Sequence, residues 1–217
     1  MPEGQPKKGF KALNWLNFFA ADVSEGVGPF LAVYLATNLH WKPGQIGIAI
    51  AAMQFSMIFA QAPAGFIVDN TRYKRIPIIV ASLTMGVTAF LMTLFHSFTF
   101  IVGSQVVMGL AGSFYLPTLV ALAVVIAAKG RFDQTISKNQ SFNHSGNVAA
   151  AIFIGIVAKF THNEGIFYSL MALSVLCTIS ALSIPQKTIN AGVEADRSTK
   201  IPVKRACLKK LSAIKRS

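Results

Sequence analysis

Acidic residues are scarce in this 217-residue chain: eight Asp and Glu stand against twenty Lys and Arg, for a formal net charge of +12. Charged residues of both signs make up only 13%, about half the share that soluble domains carry. Cysteines number two. Each shortage excludes something. Cys177 lies in an apolar segment and Cys207 in a basic tail, so no mutual disulfide is expected. Neither has neighbours at ligand spacing, so no metal is expected either. There is no Gly-x-Ser-x-Gly elbow, no His-Glu-x-x-His pair and no Gly-x-x-x-x-Gly-Lys phosphate loop, which argues against an enzyme and against a bound cofactor. The tail beyond Pro185 holds nine of the basic residues but no Phe, Tyr or Trp. Nucleic-acid grooves interleave stacking aromatics with their cations, so nucleic acid is not an expected partner.

What the chain has in quantity is apolar sequence, 53% of it, in long runs that carry almost no charge. About 18 mostly apolar residues suffice to cross the roughly 30 Å of bilayer hydrocarbon as a helix. Hydropathy gives six such segments: Leu13–Leu39, Ile46–Val68, Ile76–Phe95, Thr99–Ala128, Gln140–Phe160 and Gly165–Ile184. Short polar connections join them. A soluble helical bundle would need charged faces on its surface helices, and Ile76–Phe95 and Ile166–Ile184 have none. The expected fold is an all-α integral membrane bundle of six transmembrane helices over residues 13–184. Residues 1–12 form a short N-terminal segment and 185–217 a basic tail.

Orientation follows from the cations. Eighteen of the twenty lie on one side: Lys7, Lys8, Lys11, Arg72, Lys74, Arg75, Lys129, Arg131, Lys138 and the nine of the tail. Only Lys42 and Lys159 lie on the other. The positive-inside rule then places both termini in the cytoplasm. No cleavable signal peptide is expected, because the first apolar stretch is too long. His40, His96 and His162 read as interfacial loop residues, not ligands.

Charge within a span costs roughly 2.5–3.5 kcal/mol per residue at the bilayer centre. Span one carries Asp22 and Glu25, three residues apart and therefore on one helix face. Gly26-Val27-Gly28-Pro29 follows directly. Proline removes a backbone donor and clashes with the preceding turn, so Gly26, Gly28 and Pro29 mark an expected helix break. Freed carbonyls beside two carboxylates suit a coupling proton or cation, or a solute amine. The competing reading makes Asp22 a structural pair and the Gly-Pro a packing kink.

Span five opens with Gln140, Asn143, His144 and Asn147, on one helical stripe. Polar groups in hydrocarbon need partners or water, so the stripe suits a cavity wall, or else an interhelical hydrogen-bond patch. His144 could titrate near neutral pH. Gln54 and Gln61 share a face of span two, and Gln105, Ser113, Tyr115 and Thr118 lie in span four, where Pro117 marks an expected kink. These side chains serve either solute contact or helix–helix adhesion.

The connection after span two reads Gly65-Phe66-Ile67-Val68-Asp69-Asn70-Thr71-Arg72-Tyr73-Lys74-Arg75. It resembles the cytoplasmic loop signature of the major facilitator superfamily, in which a Gly is followed four residues later by an Asp and then by a basic cluster. Asn70 stands where a cation is usual, and the second Gly is missing. The Gly is expected to let neighbouring helices approach closely, and Asp69, Arg72, Lys74 and Arg75 to form a gate or topology cluster. Gln105-Val106-Val107-Met108-Gly109-Leu110-Ala111-Gly112 resembles the family's fourth-helix pattern, with Gln105 at a position usually held by Arg. In the family that Arg accompanies proton-coupled efflux, so its replacement speaks against that mechanism, as does the missing Gly-Pro pair in span five. Ala21-Asp22-Val23, Gly28-Pro29-Phe30 and the run from Phe142 to Asn147 are similar to a group of bacterial members, which implies a bacterial inner (plasma) membrane.

The resemblance covers one six-helix half of a family that normally pairs two halves around a midplane site. It implies secondary active transport of a small solute by a half or truncated transporter. The partners implied are the solute, a coupling proton or cation, the lipid bilayer, and a second six-helix half or a second copy. The alternative is a six-span scaffold or assembly subunit without transport activity. Solute uptake abolished at Asp22 would separate the two.

Overall fold

The structure, a computed structural model, describes residues 7–24, 28–127, 132–161 and 164–192. Among these it is all helical: α1 (Lys7–Val23), α2 (Gly28–Thr37), α3 (Pro43–Asn70), α4 (Ile76–Leu94), α5 (Phe98–Gly112), α6 (Tyr115–Ile126), α7 (Phe132–Phe160) and α8 (Gly165–Leu182). The start signals are local. Pro43 opens α3 and Pro77 falls in the first turn of α4, where a missing N–H leaves no hydrogen bond unmade. Gln45 reaches back to accept the Lys42 N–H at 3.1 Å, closing the N-terminus of α3.

Among the described residues, five stretches are long and apolar enough to cross a membrane: α3, α4, α5 with α6 (Phe98–Ile126), α7 and α8. The expected first span is present as two helices, α1 of 17 residues and α2 of 10. The first ends at Val23 and the second begins at Gly28, which takes the left-handed φ of +40° that a side chain would resist.

The fourth span is interrupted too, but not at Pro117. The break falls at Ser113 and Phe114, between α5 and α6. The ring of a proline collides with the carbonyl four residues earlier, here that of Ser113. The helix therefore stops there and restarts, leaving Pro117 in a first turn that needs no donor from it. The long α3, by contrast, continues through Pro63.

The bundle is built for lipid. Phe55, Phe59 and Phe66 of α3 and Val148, Ile152, Ile156 and Phe160 of α7 are exposed, whereas Ser82, Ser104, Ser169, Ser174 and Ser180 are buried. Without a hydrophobic drive between helices in hydrocarbon, small and hydroxyl residues at the contacts allow close packing. Gly109 of α5 meets Met53 and Ser56 of α3, and a Cβ on Gly86 of α4 would lie 3.1 Å from Ser174 Cβ of α8. The main pairings are α3 on α5, α4 on α8, and α1 on α7 and α8. Tyr34 of α2 packs edge-on against Phe167 of α8, ring centroids 4.9 Å apart. The spans α3 and α7 bury the least, 17% of their apolar windows against 44–56% for the others. Both flank the cleft described next.

Gly65 departs from its expected role. A methyl group there would meet no atom within 4 Å, so among the described residues no helix approaches it closely. It borders an open groove, while close approaches to other helices fall at Gly109, Gly112 and Gly146, among others.

Candidate functional site

A cleft of about 300 Å³ opens between α1, α3, α6 and α7. Its two walls differ in chemistry. Asn17 of α1, Ser24 just past its end, and Asn139, Gln140 and Asn143 from α7 form a polar wall, and Gln61 of α3 adds a further amide. Leu116, Leu119 and Val120 of α6 face them as an apolar wall. The interruption between α5 and α6 brings Gly112, Ser113 and Tyr115 to the cleft as well.

The polar wall depends on how tightly α1 and α7 are joined. Gly146 lies against the Phe18 backbone with no room for a side chain. One turn back along α7, Asn143 Nδ2 donates to the Asn17 carbonyl at 3.4 Å. Asn17 Nδ2 in turn donates to the Leu13 carbonyl of its own helix at 2.9 Å. Asn139 is buried at 4% exposure, and its Oδ1 accepts no hydrogen bond among the described residues.

A second groove of about 380 Å³ continues the first, sharing Gln61, Leu116 and Val120, and runs past Gly65 to Asp69. The cleft is thus linked along α3 and α6 to the loop that follows α3. In that loop Lys74 Nζ folds back onto the carbonyls of Val68 and Asp69, both at 2.8 Å. A cation there satisfies orphan carbonyls and opposes the negative end of the helix dipole. Arg75 Nη1 reaches the Ile184 carbonyl just past α8, at 3.1 Å. Arg72 is exposed.

The residues singled out from sequence are therefore divided. Gln61 and Asn143 line the cleft, with Gln140 beside them. Asp22 occupies the last turn of α1, half-buried, and is not among the cleft's lining residues. Glu25 and Gly26 lie outside the described residues, as does the side chain of Pro29. Gln54 is exposed on α3. Gln105 is buried away from the cleft, its Nε2 facing Met108 Sδ at 3.8 Å and Met92 Sδ at 4.0 Å. Asn147 is half-buried beyond the lining, and His144 is exposed. Adjacent helix positions point about 100° apart, which carries His144 out of the cleft that Asn143 faces.

Three polar lining residues, Asn17, Ser24 and Asn139, had no place in the sequence reading. The signal for Asn139 was present: it lies four residues before Asn143 and so on the same face. It was hidden because span five was begun at Gln140, whereas α7 starts at Phe132.

Comparison with known proteins adds an independent line. The profile of a family described as Major Facilitator Superfamily matches residues 13–216. An uncharacterized MFS-type transporter of Mycobacterium tuberculosis is 32% identical over 185 residues, covering 85% of this chain and 44% of that protein. The quinolone resistance protein NorA of Staphylococcus aureus is 23% identical over 175 residues, covering 78% of this chain and 44% of its own length. The chain thus spans about half the length of the curated relatives it matches.

Proposed function

We propose that this chain, which belongs to the major facilitator superfamily, forms one six-helix wall of a secondary active transporter and moves a small solute by alternating access. The observation that supports this reading is the polar cleft among α1, α3, α6 and α7, bounded by the two least buried spans. Polar side chains gathered in a lipid-facing bundle need water, a partner or a ligand, and a midplane cavity between two repeats supplies such a place. The opposite wall would come from a second six-helix half or a second copy of this chain. Both termini would face the cytoplasm of a bacterial inner membrane, as the cation bias argues. Asp22, in the last turn of α1, would bind the coupling proton or cation.

A second reading is a six-span scaffold without transport activity, built on the same packed helices. Purified chain, alone and co-reconstituted with a six-helix partner, is tested in proteoliposomes by counterflow of a solute panel. Uptake above that of empty vesicles, lost in Asn143→Leu and reduced in Asp22→Asn, is the expected result. Folded protein that carries no solute in either format makes the scaffold reading the correct one.

A further inference from the structure

We infer that a groove among α3, α4 and α5 holds an acyl chain of an anionic phospholipid whose headgroup sits at the basic loop after α3. The inference does not depend on the transport reading. The groove measures about 420 Å³ and is separate from the polar cleft. Its contacts on α3 are Ile67 and Thr71, which at 100° per residue fall on the side of that helix opposite Gln61 and Asp69. Ala81 of α4 and Ala111 of α5 are buried at its floor, and Val80, Val107 and Leu110 stand exposed along its sides. Among the described lining residues only Thr71 and Thr84 bring a hydroxyl. Thr71 Oγ1 already donates to the Ile67 carbonyl at 2.7 Å. Water finds too few polar partners in such a furrow, so hydrocarbon fills it.

A transmembrane helix and a lipid chain compete for that furrow. A helix is about 10–12 Å across and needs small residues at the contact to come close. Here the two alanines are recessed and the branched side chains stand proud, the reverse of that arrangement. A single acyl chain is thinner and bends to follow the floor. The headgroup follows from where the groove ends. Thr71 at the end of α3 and Ile76 and Pro77 in the first turn of α4 carry it to the loop between them. That loop holds Arg72, Lys74 and Arg75, and the nearby carboxylate, Asp69, lines the groove on the other side of α3. Arg72 and Tyr73 are exposed: a cation for a phosphate, and a phenol suited to the headgroup layer. Cations beside a span attract anionic headgroups, whereas a zwitterionic lipid brings no net charge to them.

The full chain in detergent is mixed with equal amounts of phosphatidylglycerol and phosphatidylcholine of the same acyl chains, and the bound lipid is read by native mass spectrometry. Phosphatidylglycerol is expected to be retained about tenfold more than phosphatidylcholine. Arg72→Gln should lower its retention about fivefold, while Lys11→Gln, the same charge change on α1, should leave it unaltered. Val80→Trp, which fills the groove from an exposed position, should lower it by a similar factor. Val107→Trp serves if that variant does not fold. Glycerol 3-phosphate, a headgroup without chains, should not be retained. Equal retention of the two lipids overturns the proposal, as does retention that neither Arg72→Gln nor the tryptophan variant alters. Glycerol 3-phosphate held as well as the lipid would show that the groove plays no part. A lipid-free dimer that Val80→Trp dissociates would give the groove to a second copy of the chain and likewise overturn it.

Discussion

Gly146 of α7 rests directly on the backbone of Phe18 in α1, so closely that any Cβ would overlap the Phe18 carbonyl. This contact fixes the spacing of the two helices that present Asn17 and Asn143 to the cleft. Gly146→Ala is expected to push them apart at a cost of about 1–3 kcal/mol, the usual range for overpacking, and to lower solute uptake. Gly155 lies on the same helix with open space around its Cβ position. Gly155→Ala is therefore the control, expected to be neutral or to stabilise by up to about 1 kcal/mol through helix propensity. Thermal unfolding in detergent with parallel uptake assays separates the two.

A buried hydroxyl pair joins α4 to α6. Ser82 Oγ donates to the Ile78 carbonyl at 2.8 Å, leaving its lone pairs for Tyr115 Oη at 2.9 Å. Cys177 Sγ of α8 lies 3.3 Å from the same oxygen. Interhelical hydrogen bonds in bilayers average about 0.6 kcal/mol and reach about 1.7. Tyr115→Phe is expected within that range, and the double variant with Ser82→Ala should fall short of the sum of the singles. Strict additivity would show that the pair does not interact.

Arg75 ties the loop after α3 to the end of α8 through the Ile184 carbonyl. Arg75→Ala should cost about 1 kcal/mol and speed amide exchange around Ile184 before the rest of the bundle responds. Uniform exchange changes along the chain would rule out a local tie.

Gln105 stands where the resemblance leads one to expect Arg, yet its surroundings are thioethers. Restoring a cation by Gln105→Arg would bury charge beside Met92 and Met108, at a cost of roughly 2.5–3.5 kcal/mol or more. Gln105→Met, of similar volume, should cost less than about 1.5 kcal/mol. Comparing their melting temperatures tests whether the site is a packing position; an Arg variant that melts with wild type would show that it is not.

His144 is exposed on α7, outside the cleft. His144→Gln is expected to leave the pH profile of uptake unchanged. A profile shifted by about one pH unit would restore the imidazole as a proton carrier.

Much of this architecture is legible from residue order alone. Apolar runs of membrane length identify the spans, because hydrocarbon admits only segments that satisfy their own backbone. The Gly-x-Gly-Pro sequence stands between the end of α1 and the first residues of α2, since proline's effect on a helix is local. The fourth span shows the limit: the proline was visible, but the break appears at Ser113, the residue its ring displaces.

The cleft was only half legible. Gln61, Gln140 and Asn143 are read from polarity within apolar sequence, a property each segment carries by itself. Asn139 escaped because hydropathy sees where apolar sequence begins, and α7 begins eight residues before Gln140. Sequence by itself determined the class of the protein, its long apolar segments and their cation bias, because these depend on transfer of each segment from water to lipid. Only the tertiary structure decided which polar residues meet: Gln105 turns to methionine sulfurs, His144 faces outward, and Asn17 joins Asn143. That choice depends on helix rotation and on the closeness that Gly146 permits, and both are set by packing between segments far apart in the chain.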